Sequence, residues 1–456
     1  MKKYIKFLKI QLLNFLQNKC KNYKFFFTTI LFFLFFDSYS STLIKIEEGE
    51  KFIYPIEIVH FSYEESKKDS QYGKEICQII YEDFLNSSRF IPKVSGEFNT
   101  EKYLNNLNKT ENLNSILVLT GSVHENYDEN ITIFYQLTNL INKKKETILA
   151  NQIKMNKKMI RKIAHTISNE IFQEITSKKG IFCNQIAYVM QMKYKDKYFY
   201  SLKICDYDGY NKSEVFKSEY PIMSPSWSPD GKKIAYSIFS ENGSKIVVQD
   251  LSNGSIEIVS NFTRHNGSPS WSPDGKKIAC SLSKDGNLNI YVIELQEKKI
   301  TQITNNRNTN TEPKWFPDSE RLVYTSDQGG KPQIYSISIR NKKSKRISWN
   351  EYIQNQNAEV SKDGKFIVLV SKNKNLQSIT KINLETESIV QITENSLNES
   401  PSIAPNNSVA ICSSLFSNHP FYLVQIFSLE ENFKKILFLE ENGMIKFPVW
   451  SPFIDE

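Results

Sequence analysis

SPSWSPDGKKIAYS, residues 224–237, decides the fold because the chain repeats it. SPSWSPDGKKIACS follows at 268–281 and EPKWFPDSERLVYTS at 312–326. Three fainter copies come next: AEVSKDGKFIVLVS (358–371), PSIAPNNSVAICSS (401–414) and FPVWSPFIDE (447–456). Aligned on the first tryptophan, the copies centre on Trp227, Trp271, Trp315, Val360, Ile403 and Trp450, at steps of 44, 44, 45, 43 and 47 residues. A fixed period of this size marks a repeat array.

Each unit reads as four short strands. Pro-Ser-Trp forms the first. Ser-Pro-Asp-Gly makes a tight turn, with Pro presetting φ and Gly accepting a positive value. KKIAYSI (232–238), KIVVQDL (245–251) and SIEIVSN (255–261) follow as short β-branched runs separated by Asn-Gly turns. Four strands every ~40–45 residues make a propeller blade. Pro and Gly recur too often for a helical repeat.

The sixth copy bears on closure. Trp450 opens a first strand, and only six residues follow it. Its missing partners match QIAYVM (185–190), SLKICDYDG (201–209) and SEVFKS (213–218), with Gln185–Tyr188 in the KKIAY slot. The pattern predicts a six-bladed β-propeller over 182–456, closed by the C-terminal strand, which leaves no exposed sheet edge at the seam.

Before it, residues 42–180 read as an α+β domain. PIEIVHF is a strand, and YGKEICQIIYEDFLNSS (72–88) is a helix with Ile76, Ile79, Ile80 and Phe84 on one stripe. Residues 89–94 form a short strand, and the runs 115–125, 131–139 and 146–155 form an antiparallel set. A second helix spans 157–176, with Gly180 as its expected cap.

The net charge of +8 is unevenly placed. Residues 1–41 hold seven Lys and one Asp, leaving only about +2 for the rest. That balance argues against nucleic acid or an anionic membrane as partner. The same 41 residues read as a signal peptide: a Lys-rich stretch, the uncharged run FFFTTILFFLFF (25–36), then small residues at 38, 40 and 41. Cleavage between about Ser40 and Thr42 is the expectation, and an uncleaved anchor is the alternative. Twelve uncharged residues are short of the ~20 a bilayer needs, so the cleaved chain is expected not to be an integral membrane protein.

Nothing in the chain assembles a catalyst. It has no Gly-x-Ser-x-Gly elbow, phosphate loop or dinucleotide glycine fingerprint. The histidines at 60, 124, 165, 265 and 419 form no ligand pair, so neither metal nor cofactor is expected. His165 reads as a packing or surface residue. One Asp per Ser-Pro-Asp-Gly turn is too few oxygens for calcium, so Asp230, Asp274, Asp318 and Asp363 are expected to accept backbone N–H bonds. The five cysteines beyond Cys20 read as structural thiols, and the tryptophans as packing residues. A propeller-type carbohydrate-active enzyme or peptidase-related propeller is the alternative that these absences weigh against.

One region exceeds what turns require. The loops entering the first strands should ring one mouth of a central channel, and two are rich: FTRHNGSPSW (262–271) and NTNTEPKW (308–315). Arg264, His265, Asn266 and Glu312 suit capture of a protein loop or small ligand.

These same stretches, with LSKDGNLNIYV (282–292), QNQNAEVSKDGKFIVLVS (354–371) and KFPVWSP (446–452), closely resemble the TolB family, periplasmic propeller proteins of the Tol–Pal cell-envelope system. The resemblance spans about residues 43–453. It implies a non-enzymatic periplasmic protein that binds the lipoprotein Pal on the propeller and TolA through its mature N-terminal segment. Other outer-membrane or peptidoglycan-associated proteins are implied as further partners, with a role in outer-membrane invagination during division and in membrane integrity. By that likeness His265, Ser268 and Thr311 match positions tied to Pal binding, with Arg264 and Glu312 beside them. Thr42–Lys51 matches the TolA-binding strand, and its candidate contacts are Leu43, Ile44, Ile46, Glu47, Glu48 and Gly49. The chain departs from the pattern at Asn406-Asn407, where the repeat has Asp-Gly, and in its long leader.

Overall fold

The first elements alternate. Strands β1 (Tyr54–Val59) and β2 (Ser62–Tyr63) precede helix α1 (Gln71–Asn86). Then come β3 (Phe90–Ser95), β4 (Ser115–Glu125), β5 (Asn130–Ile141), β6 (Lys144–Asn156) and helix α2 (Ile160–Thr176). The computed structural model describes residues 53–63, 70–95, 115–126, 129–141, 144–284, 286–349, 353–374, 376–394 and 396–454. The leader at 1–41 and the candidate TolA contacts Leu43, Ile44, Ile46, Glu47, Glu48 and Gly49 lie outside the described residues.

Among the described residues the small N-terminal domain is one sheet with two helices. Strand order is β3-β1-β4-β5-β6, with β2 also pairing β4. β4, β5 and β6 are antiparallel, as their alternation predicts. β1 pairs in parallel with β3 and β4, because α1 supplies the crossover that parallel pairing needs. Ser70 caps α1, its hydroxyl accepting from Gly73 N at 3.3 Å. The stripe of Ile76, Ile79, Ile80 and Phe84 is buried with Ile163, Ile167 and Phe172 of α2 against Ile56, Leu119 and Ile133 of the sheet.

The second helix differs from its sequence reading at both ends. Lys157–Met159 form a 3-10 turn, so α2 starts at Ile160. It stops at Ser177, whose left-handed φ of 57° ends the last turn. Gly180 is not the cap. It lies against Asn169, where a Cβ would come within 2.2 Å of the side-chain oxygen.

The remainder is a β-propeller of four-stranded antiparallel units. The first three strands are β7 (Gln185–Tyr194), β8 (Lys197–Asp206) and β9 (Ser213–Ser218). β10 (Ile222–Trp227), β11 (Lys233–Ser240), β12 (Gly243–Asp250) and β13 (Ile256–Ser260) form one sheet. β14 (Asn266–Trp271), β15 (Lys277–Leu282), β16 (Asn289–Glu294) and β17 (Lys299–Gln302) form the next. β18 (Asn310–Trp315), β19 (Arg321–Ser326), β20 (Gln333–Ser338) and β21 (Ser344–Arg346) follow. Then come β22 (Gln354–Val360), β23 (Phe366–Asn373), β24 (Leu376–Asn383) and β25 (Ile389–Gln391). β26 (Leu397–Ile403), β27 (Val409–Leu415), β28 (Leu423–Ser428) and β29 (Lys434–Phe438) complete the run. A single pair, Gln377 with Leu397, joins these last two sets into one eight-stranded sheet. β30 (Met444–Trp450) pairs antiparallel with β7, Lys446 opposite Val189 and Trp450 opposite Ile186, giving the order β30-β7-β8-β9.

The repeated turn works as its residues suggest. Asp230, Asp274, Asp318 and Asp363 accept the N–H of Lys232, Lys276, Glu320 and Lys365 at 2.9–3.1 Å. Partial burial opposes their charge, yet these bonds and those from Ser228, Ser272 and Ser361, or from Arg321 for Asp318, hold all four carboxyls below the usual range. Two of the tryptophans tie neighbouring units: Trp227 Nε1 donates to Val449 O at 3.3 Å and Trp315 Nε1 to Ser270 O at 3.0 Å, while Trp271 Nε1 donates to Gly275 O of its own turn at 3.2 Å.

Residues Glu48–Glu456 form one compact unit, and its largest apolar core crosses the junction between sheet-and-helix domain and propeller. Phe84, Phe172 and Phe182 meet Tyr207 and Trp450 there. His165 joins them: its Nδ1 lies 2.9 Å from Asp83, Tyr207 donates to Asp83 at 2.6 Å, and Asp208 is 3.8 Å from its Nε2. Asp83, His165 and Asp208 have the donor types of a metal site. Arg161 already pairs with Asp208, so protein groups balance the charge. Burial works against a charged imidazole, but Asp83 and Asp208 outweigh it and raise the His165 pKa.

Candidate protein-binding site at the channel mouth

The innermost strands β10, β14, β18, β22, β26 and β30 share one irregularity. Each carries a bulge, and within each bulge one residue is left-handed: Ser224, Ser268, Glu312, Asn357, Ser400 and Phe447, with φ of 49–56°. Proline follows in five of the six, at 225, 269, 313, 401 and 448. Proline cannot donate to the ladder and so suits the slip, which β22 makes with Ala358 in that place; the bulge re-aims the side chain of the left-handed residue. All six strands line one cavity of about 270 Å³ at this level. A second cavity, of about 450 Å³, lies toward the tryptophans and the Ser-Pro-Asp-Gly turns.

His265, Ser268, Thr311 and Glu312 all line the first cavity. The sequence reading put them in the loops before the strands. The structure puts only His265 there: Ser268 lies in β14, and Thr311 and Glu312 lie in β18. The cause is strand length, since β14 and β18 each begin five residues before their tryptophan. Arg264 is exposed and not part of the lining.

The His265 main chain is fixed by Ser283, whose Oγ accepts from His265 N at 2.8 Å. Its ring lies against Gly267, where a Cβ would stand 2.3 Å from Nε2, so the ring's position requires glycine. Partial burial lowers the imidazole pKa, which makes it a neutral group at pH 7. Thr311 Oγ1 accepts from Ser281 Oγ of the preceding sheet at 3.2 Å. The Glu312 carboxylate accepts from Thr325 Oγ1 at 2.7 Å and from Asn357 N of the next sheet at 2.8 Å. Burial raises its pKa despite these bonds. Glu312 is thus a tie between sheets more than an offered contact. Glu399, Lys446 and Tyr422 form a further cluster at the level of Thr311: Lys446 Nζ lies 2.9 Å from Glu399 and 3.3 Å from the centre of the Tyr422 ring.

Asn266 is no contact residue either. It is fully buried, donates to Ser244 O, Phe262 O and Arg264 O, and accepts from Ser260 Oγ and Phe262 N. It holds the 260–265 loop in place. Asn310, Asn355 and Asn398 occupy the same slot, all buried, while Ile222 and Ile445 fill it in the other two strands. The signal was present in the sequence, as an Asn recurring five residues before the tryptophan slot.

A neutral imidazole, two hydroxyls and a rim of prolines can hold a polar protein loop. They offer no nucleophile–base pair, and among the described residues no helix is long and apolar enough to cross a membrane. The fold defines a β-propeller protein with a small N-terminal domain. Residues 172–454 match the TolB beta propeller domain and residues 42–146 the TolB amino-terminal domain. The chain belongs to the TolB family and is a Tol–Pal system component. It is 48% identical to the Tol-Pal system protein TolB of Hamiltonella defensa, over 90% of this chain and 94% of that one. It is 46% identical to that of Blochmanniella floridana, over 91% and 95%. The crystal structure of TolB from Acinetobacter baumannii superposes with a TM-score of 0.77 at 29% identity, covering 88% of this chain and 96% of that one. The two sequence relatives are named for the Tol-Pal system, not for an enzyme.

Proposed function

We propose that this chain works in the periplasm as a non-enzymatic link between Pal and TolA, serving outer-membrane invagination during division and outer-membrane integrity. Pal docks at the mouth held by His265, Ser268 and Thr311, with Arg264 on its rim and Glu312 bracing the wall. TolA takes the segment 42–51 through Leu43, Ile44, Ile46, Glu47, Glu48 and Gly49, as an added strand on a sheet edge. The leader 1–41 directs export. Residues 42–180 form the α+β domain and 182–456 a propeller of six blades closed by the C-terminal strand. The β30–β7 pairing and a cavity lined by all six innermost strands support that closure.

The observation that carries the reading is the convergence of His265, Ser268 and Thr311 on one cavity in a member of the TolB family. Calorimetric titration of the purified chain with Pal and with TolA tests it. Saturable binding to each is expected, with TolA binding lost and Pal binding kept when 42–51 is removed. Absence of Pal binding would sink the proposal.

A further inference from the structure

The hairpin of β7 and β8 is drawn out further than its counterparts. Five residues before each tryptophan slot, the innermost strands face Ile238, Leu282, Ser326, Ser371, Ser414 and Met190. Past that level β15 and β19 stop, β27 adds Leu415, β11 adds Phe239 and Ser240, and β23 adds Lys372 and Asn373. β7 adds Gln191–Tyr194, and β8 follows it to the turn, Tyr194 opposite Lys197. At ~3.3 Å per residue the tip stands roughly 13 Å above the level. It rises on the face that carries His265 and Thr311, since Lys446, in the Thr311 slot, pairs with Val189 below it.

The tip has a distinct chemistry. Lys193, Tyr194, Lys195, Asp196, Lys197 and Tyr198 are all exposed, with Tyr194 at 66% and Tyr198 at 46%. Lys193 Nζ lies 5.9 Å from the Tyr198 ring and Lys195 Nζ 5.6 Å from the Tyr194 ring. Both residue types have an apolar body and a polar end, the combination that sits where water meets lipid. Lysines beside anionic headgroups add electrostatic attraction. A convex tip fits a yielding interface better than the shaped groove a protein partner would present.

We propose that the β7–β8 hairpin touches an anionic lipid surface. The small net charge of residues 42–456 argues otherwise only as an average. The fold gathers three lysines and two tyrosines onto one projection.

Amide exchange in residues 191–200 of the full chain tests this, because that readout is local and binding elsewhere does not alter it. Vesicles of phosphatidylglycerol with phosphatidylethanolamine should slow exchange there, high salt should reverse the effect, and phosphatidylcholine vesicles should leave it unchanged. Lys193→Gln/Lys195→Gln/Lys197→Gln should lose the slowing. Lys342→Gln/Lys343→Gln/Lys345→Gln, which removes the same charge elsewhere, should keep it. Unchanged exchange with anionic vesicles, or equal slowing in the hairpin variant, overturns the proposal. So does equal slowing by soluble polyglutamate, which would assign the tip to acidic protein.

Discussion

Tyr207 and Trp450 stack with ring centroids 6.1 Å apart and planes 14° from parallel. Tyr207 also donates to Asp83 of α1. One tyrosine therefore joins the N-terminal domain, the start of the propeller and its last strand. Trp450→Ala should cost about 3–5 kcal/mol, and deleting 446–456 should lower the melting temperature further. Unchanged melting curves would show that the seam contributes nothing.

At the mouth, His265→Ala and Thr311→Ala should each weaken Pal binding roughly ten- to a hundredfold. His265→Ala should melt as the parent does. Thr311→Ala loses the bond from Ser281, so a drop of about 1 kcal/mol is expected. Calorimetry and thermal melts on both variants check this, and parental affinity in both would move the binding face elsewhere.

Asn266→Ala should behave differently from its neighbour. It strips partners from groups of the 260–265 loop and from Ser244 O of β12, at about 1–3 kcal/mol for each buried group left unsatisfied. Stability and Pal affinity should fall together, where His265→Ala affects affinity alone. A variant as stable as the parent would contradict the loop-holding role.

Two windows of pH dependence should separate. His165 has a raised pKa when folded, so its stabilisation is complete below the unfolded value of about 6.5 and is lost as pH rises through the folded one. The facing groups are Asp83, Asp208, Arg161 and Tyr207. The turn aspartates have depressed values, so theirs is present above about 3.9 and lost as pH falls further. Denaturant melts across pH should show both slopes, and His165→Gln should flatten only the upper one. An upper slope that survives in His165→Gln would assign it to another group.

The repeat made the strands and turns legible, since Trp, Pro-Asp-Gly and β-branched runs each act locally. The parallel pairing of β1 with β3 was not, because α1 intervenes and nothing local marks the partner. The left-handed residues were hidden for another reason: Ser268, Glu312 and Phe447 are not residues that advertise a positive φ. Their mark was the proline after them, set inside what otherwise reads as strand. His165 and Asp83 sit on different helices and meet only once α1 and α2 pack on each other, so no spacing rule could pair them.

Because β30 supplies the innermost strand of a sheet whose other members lie near residues 185–218, the order of synthesis sets an order of assembly. β7 to β9 are made early and wait, with an edge unpaired, until residues 444–450 have followed. A chain made from its N-terminus cannot finish this sheet, or the core that joins Tyr207 to Trp450, before β30 has been added. The long loop closed at that step, from β7 to β30, makes it a slow one.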